Sequence, residues 1–283
     1  MTALTTPKRL GRIAHYGIAS LIALLFLFPV AWTILRSVQT IPAAAAGFSS
    51  KMFDGLTLDN YALLQSSGVS LTTYTLNSVV VAIGTTLLTT IVATLAGYGL
   101  GRLRFPGAPL VFILILMPFM VPFQGILTPL FTELNALGMT DNLFTLVLVY
   151  TTFQLPFAVF VMRNSFLSVP RELEETAMID GLSTFGILRR ALLPMVAPGM
   201  ATVALYAFIF AWNEFLAALV LMTTQENFTL PIGLVNIQSG VYGTVNFGLL
   251  SAGATVATVP CLLAFLLLQR YYVSGLSAGS VKG

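Results

Sequence analysis

Arg171–Pro194 reads RELEETAMIDGLSTFGILRRALLP, a polar island in an otherwise apolar chain. It holds four of the ten acids, Glu172, Glu174, Glu175 and Asp180, and three of the thirteen basic residues, Arg171, Arg189 and Arg190. Such a segment must meet water or another protein, whereas the rest of the chain calls for a different solvent. Apolar residues make up 57% of the sequence and charged residues 8%, against roughly 25% charged in soluble domains. Lipid is therefore the main solvent, and the island is where the chain leaves it.

Predominantly apolar runs able to cross a ~30 Å hydrocarbon core, which takes about 20 helical residues, occupy 13–35, 75–101, 108–131, 143–166, 195–222 and 247–270. Backbone groups in lipid must bond within their own segment, and the alternating pattern of a barrel is absent. The sequence thus predicts an all-α membrane protein with six transmembrane helices in a single domain, 1–283. A loop at 169–194 and a tail at 271–283 stand outside the spans.

Basic residues in short loops mark the cytoplasmic side. With the N-terminus inside, Lys8, Arg9, Arg12, Arg102, Arg104, Arg163, Arg171, Arg189, Arg190, Arg270 and Lys282 are cytoplasmic, and only Arg36 and Lys51 lie outside. Both termini and the island are then cytoplasmic, while Asp54, Asp59, Glu133, Asp141 and Glu226 face outward. The net charge of +3 follows from this topology, and no continuous basic face suggests nucleic acid. The apolar run at 13–35 exceeds the ~7–15 residues of a signal-peptide core, and Arg36 separates it from Ala43-Ala44-Ala45, so it is expected to stay as an anchor. The single Cys261 permits no intramolecular disulfide and no cysteine metal cluster; it reads as a small hydrophobe in the last span.

Within the island two short helices joined at Gly181 are expected. Pro170 suits a helix start, and Glu172, Glu174 and Glu175 complement the positive end of the first helix. Leu173, Ala177 and Gly181 recur on one face, small enough for another backbone to approach, with Met178 and Ile179 as apolar grip beside it. Ser183 or Thr184 caps the second helix, and Arg189 and Arg190 close it before Pro194 opens the fifth span. A loop lying on lipid headgroups would show a basic polar face, and the acids of the first helix argue against that.

The order Glu175-Thr176-Ala177, Gly181 after three more residues and Leu193-Pro194 after a further eleven resembles the EAA loop of ABC importer permeases. The flanking Val169-Pro170-Arg171-Glu172-Leu173-Glu174-Glu175, the later Trp212-Asn213-Glu214-Phe215 and the ending Leu276-Ser277-Ala278-Gly279-Ser280-Val281-Lys282-Gly283 are similar to the carbohydrate branch, in particular the maltose-type second permease subunit. Thr176 stands where the family usually has Ala, and Ala191 where it usually has Ile. The resemblance implies a type I importer permease in a bacterial inner membrane, paired with a homologous second permease, seated on two ATPase subunits and fed by an external solute-binding protein. It implies that Glu172, Glu175, Ala177, Met178, Asp180, Gly181 and Ser183 couple to the ATPase, where ATP and Mg would sit. It also implies that Ser280, Val281, Lys282 and Gly283 enter the interface between the ATPase subunits, although by composition alone that tail reads as disordered. The implied solute is a carbohydrate or a related polyol or glycerophosphate-type compound.

A translocation path is expected where helices break. Pro118, Pro122 and Pro129, with Gln124 among them, interrupt the third span, and broken helices in transporters line cavities. Glu214 is a carboxylate inside the fifth span, where burial mid-bilayer costs at least ~2.5 kcal/mol. Either it sits near the outer interface, or it lines the path with Trp212 and Asn213, stacking on a sugar ring and bonding hydroxyls. In the family such contacts can fall mainly on the partner permease.

No catalytic residues are predicted and no metal site. Lys8, Lys51 and Lys282 follow Pro7, Ser50 and Val281, so no P-loop exists; Gly275-Leu276-Ser277-Ala278-Gly279 matches G-x-S-x-G without its strand-to-helix context; His15 is the sole histidine. An ion-coupled secondary transporter is the alternative class, for which only Glu214 offers a buried ionisable group. A purely structural membrane subunit leaves the island unexplained.

Overall fold

Lipid leaves a backbone no partner but itself, and every long element is a helix. The computed structural model describes residues 6–47, 52–53, 55–66, 71–238 and 246–279, with side chains described except at 6–13, 41, 45–46, 66, 268 and 270–279. In chain order the helices are α1 (Thr6–Ser37), α2 (Ile41–Ala46), α3 (Asp59–Ser66), α4 (Leu71–Arg102), α5 (Ala108–Leu116), α6 (Phe123–Ala136), α7 (Leu143–Ser168), α8 (Glu172–Ile179), α9 (Thr184–Ile187), α10 (Leu193–Asn213), α11 (Leu216–Leu221), α12 (Leu230–Gln238) and α13 (Phe247–Gly279). Among the described residues extended pairing is confined to an isolated bridge between Gln39 and Leu56. Five helices are long and apolar enough to span, and a sixth span results if the bent pair Ala108–Met120 and Phe123–Ala136 counts as one.

The third span, expected over 108–131 with its prolines interrupting the helix, turns by 97° between those two segments. Pro118 and Pro122 withhold two backbone donors. A 3-10 turn at Met117–Met120 precedes Val121, which is extended at φ −88° and ψ 122° as the residue before a proline prefers. The fifth span, expected over 195–222, stops at Asn213 and resumes as α11. Residues 271–279, expected as a separate tail, continue α13 as helix. Ser280–Gly283 lie outside the described residues.

Two compact units divide the chain. The first, Met1–Ser70 with Leu234–Thr258, is organised by a polar knot at the end of α1. The buried Asn60 side chain on α3 donates to the carbonyls of Ser37 (2.9 Å) and Gln39 (2.8 Å). Gly248 lies so close that a Cβ there would come within 2.8 Å of the Asn60 amide. Arg36 donates to the Ala44 carbonyl and lies 4.9 Å over the Phe247 ring. On the same helix as Asn60, α3, Leu64 is fully buried.

The second unit, Leu71–Gly233 with Val259–Gly283, is built on α4, α7 and α10. Helices α4 and α7 run parallel, and glycines on α4 bring their backbones together. A Cβ at Gly97 would sit 2.6 Å from Met162 Cβ and 2.8 Å from its carbonyl carbon, and one at Gly101 would lie 3.3 Å from the Arg163 carbonyl oxygen. Membrane helices lack a hydrophobic drive to associate, so close packing of small residues supplies the contact energy. Ala93, Ala158, Met162, Phe166, Leu192 and Val203 form the core of this seam.

Candidate functional site

The island forms a helical turn ending at glycine, followed by a second helix that flows directly into a span. In α8 the first turn carries Glu172, Glu174 and Glu175, where acids meet the positive end of the helix dipole. Gly181 N donates to the Met178 carbonyl and Leu182 N to the Ala177 carbonyl, 3.0 and 3.1 Å, the paired bonds of a Schellman stop. Gly181 has φ 78°. Nothing in this chain lies within 4 Å of a Cβ at this position, so within the chain the glycine is required by the left-handed backbone. The Ser183 hydroxyl accepts from Gly186 N at 3.3 Å, the cap expected of Ser183 or Thr184. No break occurs at Pro194: a π-helical segment, Leu188–Leu192, absorbs the proline's missing donor and joins α9 to α10.

Glu172, Glu175, Met178, Asp180, Gly181 and Ser183 are all exposed, and Ile179 is 87% exposed. Ala177 is not among them. Its place on the small-residue face suggests contact with a partner, but it is buried with Val169, Ile187 and Leu188 in this chain's own core. An eight-residue helix lying on a bundle must turn one stripe inward, and the small residue takes that place. Sequence reading also missed the tie that holds α8. Arg102, at the end of α4 and 3% exposed, pairs with Glu174 at 2.8 Å and donates to the Val169 carbonyl. Its one sequence signal is a basic residue closing a span.

At the fifth-span break Glu214 acts as a cap. Its Oε1 accepts from Leu216 N (2.8 Å) and Ala217 N (3.1 Å), and its Oε2 accepts from the Tyr150 hydroxyl at 2.6 Å. The carboxylate thereby satisfies the free donors opening α11. Trp212, expected to offer a ring to solute, is 2% exposed and stacked on Phe208 at 5.9 Å. Asn213 is exposed and donates to the Ile209 carbonyl at 2.8 Å. Glu214 and Asn213 line a cavity of about 410 Å³ with Tyr206, Ile209 and Phe210. Gln124, exposed in the first turn of α6, does not line it.

Asp141, in the loop before α7, accepts from Thr223 N (2.9 Å), Thr224 N (3.1 Å) and the Thr224 hydroxyl (2.8 Å). Desolvation pushes its carboxyl upward, but these hydrogen bonds, with one from Asn227, outweigh it and hold the group below the usual carboxylate range. A depressed folded-state pKa contributes stability above the unfolded value of about 3.9 and loses it as pH falls through the folded value. Asp141→Asn should therefore melt lower than the parent at pH 7, with the gap closing below about pH 4. A gap that stays constant with pH in detergent melting curves would show that the charge contributes nothing.

A family model described as the binding-protein-dependent transport system inner membrane component matches residues 89–277. The chain belongs to this family. The trehalose transport system permease protein SugB of Mycobacterium tuberculosis is 34% identical to the permease over 257 residues, 91% of this chain and 93% of the relative. Among solved structures, a chain of a bacterial ABC transporter involved in import of the acidic polysaccharide alginate aligns with TM-score 0.78 and 20% identity, covering 96% of this chain and all of that one. A second alginate transporter chain, solved in complex with an alginate pentasaccharide-bound periplasmic protein, aligns with TM-score 0.64 and 14% identity over 93% and 94% of the two chains. At such identities the structural likenesses carry the fold. The permease is a multi-pass membrane subunit of an ABC importer and not an enzyme, and an ion-coupled secondary transporter is not favoured.

Proposed function

We propose that the permease carries a carbohydrate, or a related polyol or glycerophosphate-type solute, across a bacterial inner membrane into the cytoplasm, driven through its 169–194 loop by a separate ATPase that holds ATP and Mg. A homologous second permease, two ATPase subunits and an external binding protein complete the assembly, with both termini of this chain cytoplasmic. The naming of the relative SugB for trehalose and of the neighbouring transporters for alginate supports the solute class. The observation that carries the coupling is the exposure of Met178 and Ile179 at the tip of α8, beside exposed Glu172, Glu175 and Asp180. Apolar side chains there gain nothing from water, and the acids around them disfavour an anionic lipid surface. A soluble partner that buries the two apolar residues and pairs the acids fits both facts. The Ser280–Gly283 tail would add a second contact with that partner.

Ile179→Asp tests this reading, because Ile179 supports no part of the chain's own core. Losing an interface anchor of about 2 kcal/mol lowers ATPase co-purification roughly 30-fold, while yield and membrane insertion stay as in the parent. Undiminished co-purification would remove α8 from the coupling surface.

A further inference from the structure

Beside the 97° break lies a second cavity, of about 160 Å³, that shares Tyr206 and Phe210 with the chamber at Glu214. Its wall is aromatic: Phe123 packs edge-on against Phe153 at 4.2 Å and lies 6.3 Å from Phe210. Into this wall the sequence has set an amide. Gln154 on α7 lines the cavity, is 2% exposed, and its Nε2 has no hydrogen-bond partner. Buried polar groups are nearly always satisfied, and an unmade bond at such a site is destabilising. A leucine would pack there without that penalty, so the amide needs a partner that arrives from outside.

We propose that this cavity is a direct solute contact made by this subunit, in which Gln154 bonds a hydroxyl of an uncharged sugar while Phe123, Phe153 and Phe210 pack on its C–H face. The inference rests on the carbohydrate reading above and narrows it. Neither cavity is lined by a lysine or arginine, and the adjoining one presents the Glu214 carboxylate. A uronate or a phosphate entering here would lose its hydration, find no counter-charge and meet a like charge. At about 160 Å³ the cavity is below the ~300–1,000 Å³ of a whole small-molecule site, so it takes part of one sugar unit, with the Asn213 and Glu214 chamber next along the chain of units.

The test uses the full importer in proteoliposomes with its binding protein. Uptake is measured for a neutral panel (trehalose, maltose, arabinobiose) and an anionic panel (alginate trisaccharide, glycerol 3-phosphate). A neutral sugar is carried, and Gln154→Leu lowers its uptake about tenfold, the value of one hydrogen bond, with basal ATP hydrolysis unchanged and the melting temperature equal or higher. That last readout separates solute contact from a structural role, which would lower the melting temperature. Tyr206→Phe serves as a second variant, expected to lower uptake of the same sugar with assembly intact. Neutral uptake unaltered in both variants overturns the proposal and leaves the carbohydrate reading standing. Preference for the anionic sugar overturns neutrality at this site. Uptake of no carbohydrate from either panel overturns the carbohydrate reading and the proposal together.

Discussion

Gly97→Leu yields a permease that reaches the membrane but fails to hold its central helices together. The Cβ alone would lie 2.6 Å from Met162 Cβ, 2.8 Å from the Met162 carbonyl carbon and 2.9 Å from Arg163 N. Two of these atoms are backbone, so no rotamer change relieves the clash and α4 must separate from α7. Overpacking in a core usually costs about 1–3 kcal/mol, and a clash with helix backbone belongs at or above the upper end. Separation would also unpack Met162 and Phe166, both fully buried. Monodisperse protein after detergent extraction should fall several-fold or vanish. Gly99→Leu is the control, since nothing lies within 4 Å of a Cβ there. Equal losses in the two variants would point to a general intolerance of bulk and sink the seam as the cause.

Arg102→Met breaks the tie between α8 and α4, and its effect falls on coupling more than on folding of the spans. Removing one partner of a buried ion pair costs about 3–5 kcal/mol, because the other charge is stranded. Glu174, 16% exposed, recovers some of this by reaching water, so the lower end applies. Uptake should drop more than tenfold while the associated ATPase continues to hydrolyse ATP. The double replacement Arg102→Met with Glu174→Met should restore uptake above either single variant, since no stranded charge remains. A double variant no better than the worse single one would show that the pair is not the link.

The spans were legible because the solvent dictates them: apolar length and the need for internal hydrogen bonds leave helix as the answer. Pro118 with Pro122 announced a break, and Gly181 with Ser183 announced a turn and a cap, since each acts through its own backbone chemistry. What stayed hidden depended on partners far along the chain. Gly97 carries no mark of the backbone that presses on it. The stripe of α8 that turns inward could not be chosen from residue types alone, and Ala177 fell on the wrong side. For Glu214 the choice between interface and path stayed open, and its capping role was hidden, because neither Pro nor Gly marks the break that it caps. Gln154 went unremarked because an amide in an apolar run is conspicuous only once its missing partner is known.

The glycine seam has a mechanical consequence. Backbones in contact at Gly97 and Gly101 cannot slide or spread independently, so α4 and α7 tilt as a single stiff beam. With 32 residues α4 is about 48 Å long, and a tilt of about 5° about its Arg102 end swings the far end by about 4 Å. That leverage exceeds the width of a water molecule, and it is delivered to the Leu143 end of α7, where Asp141 staples the loop ahead of that helix to Thr223 and Thr224.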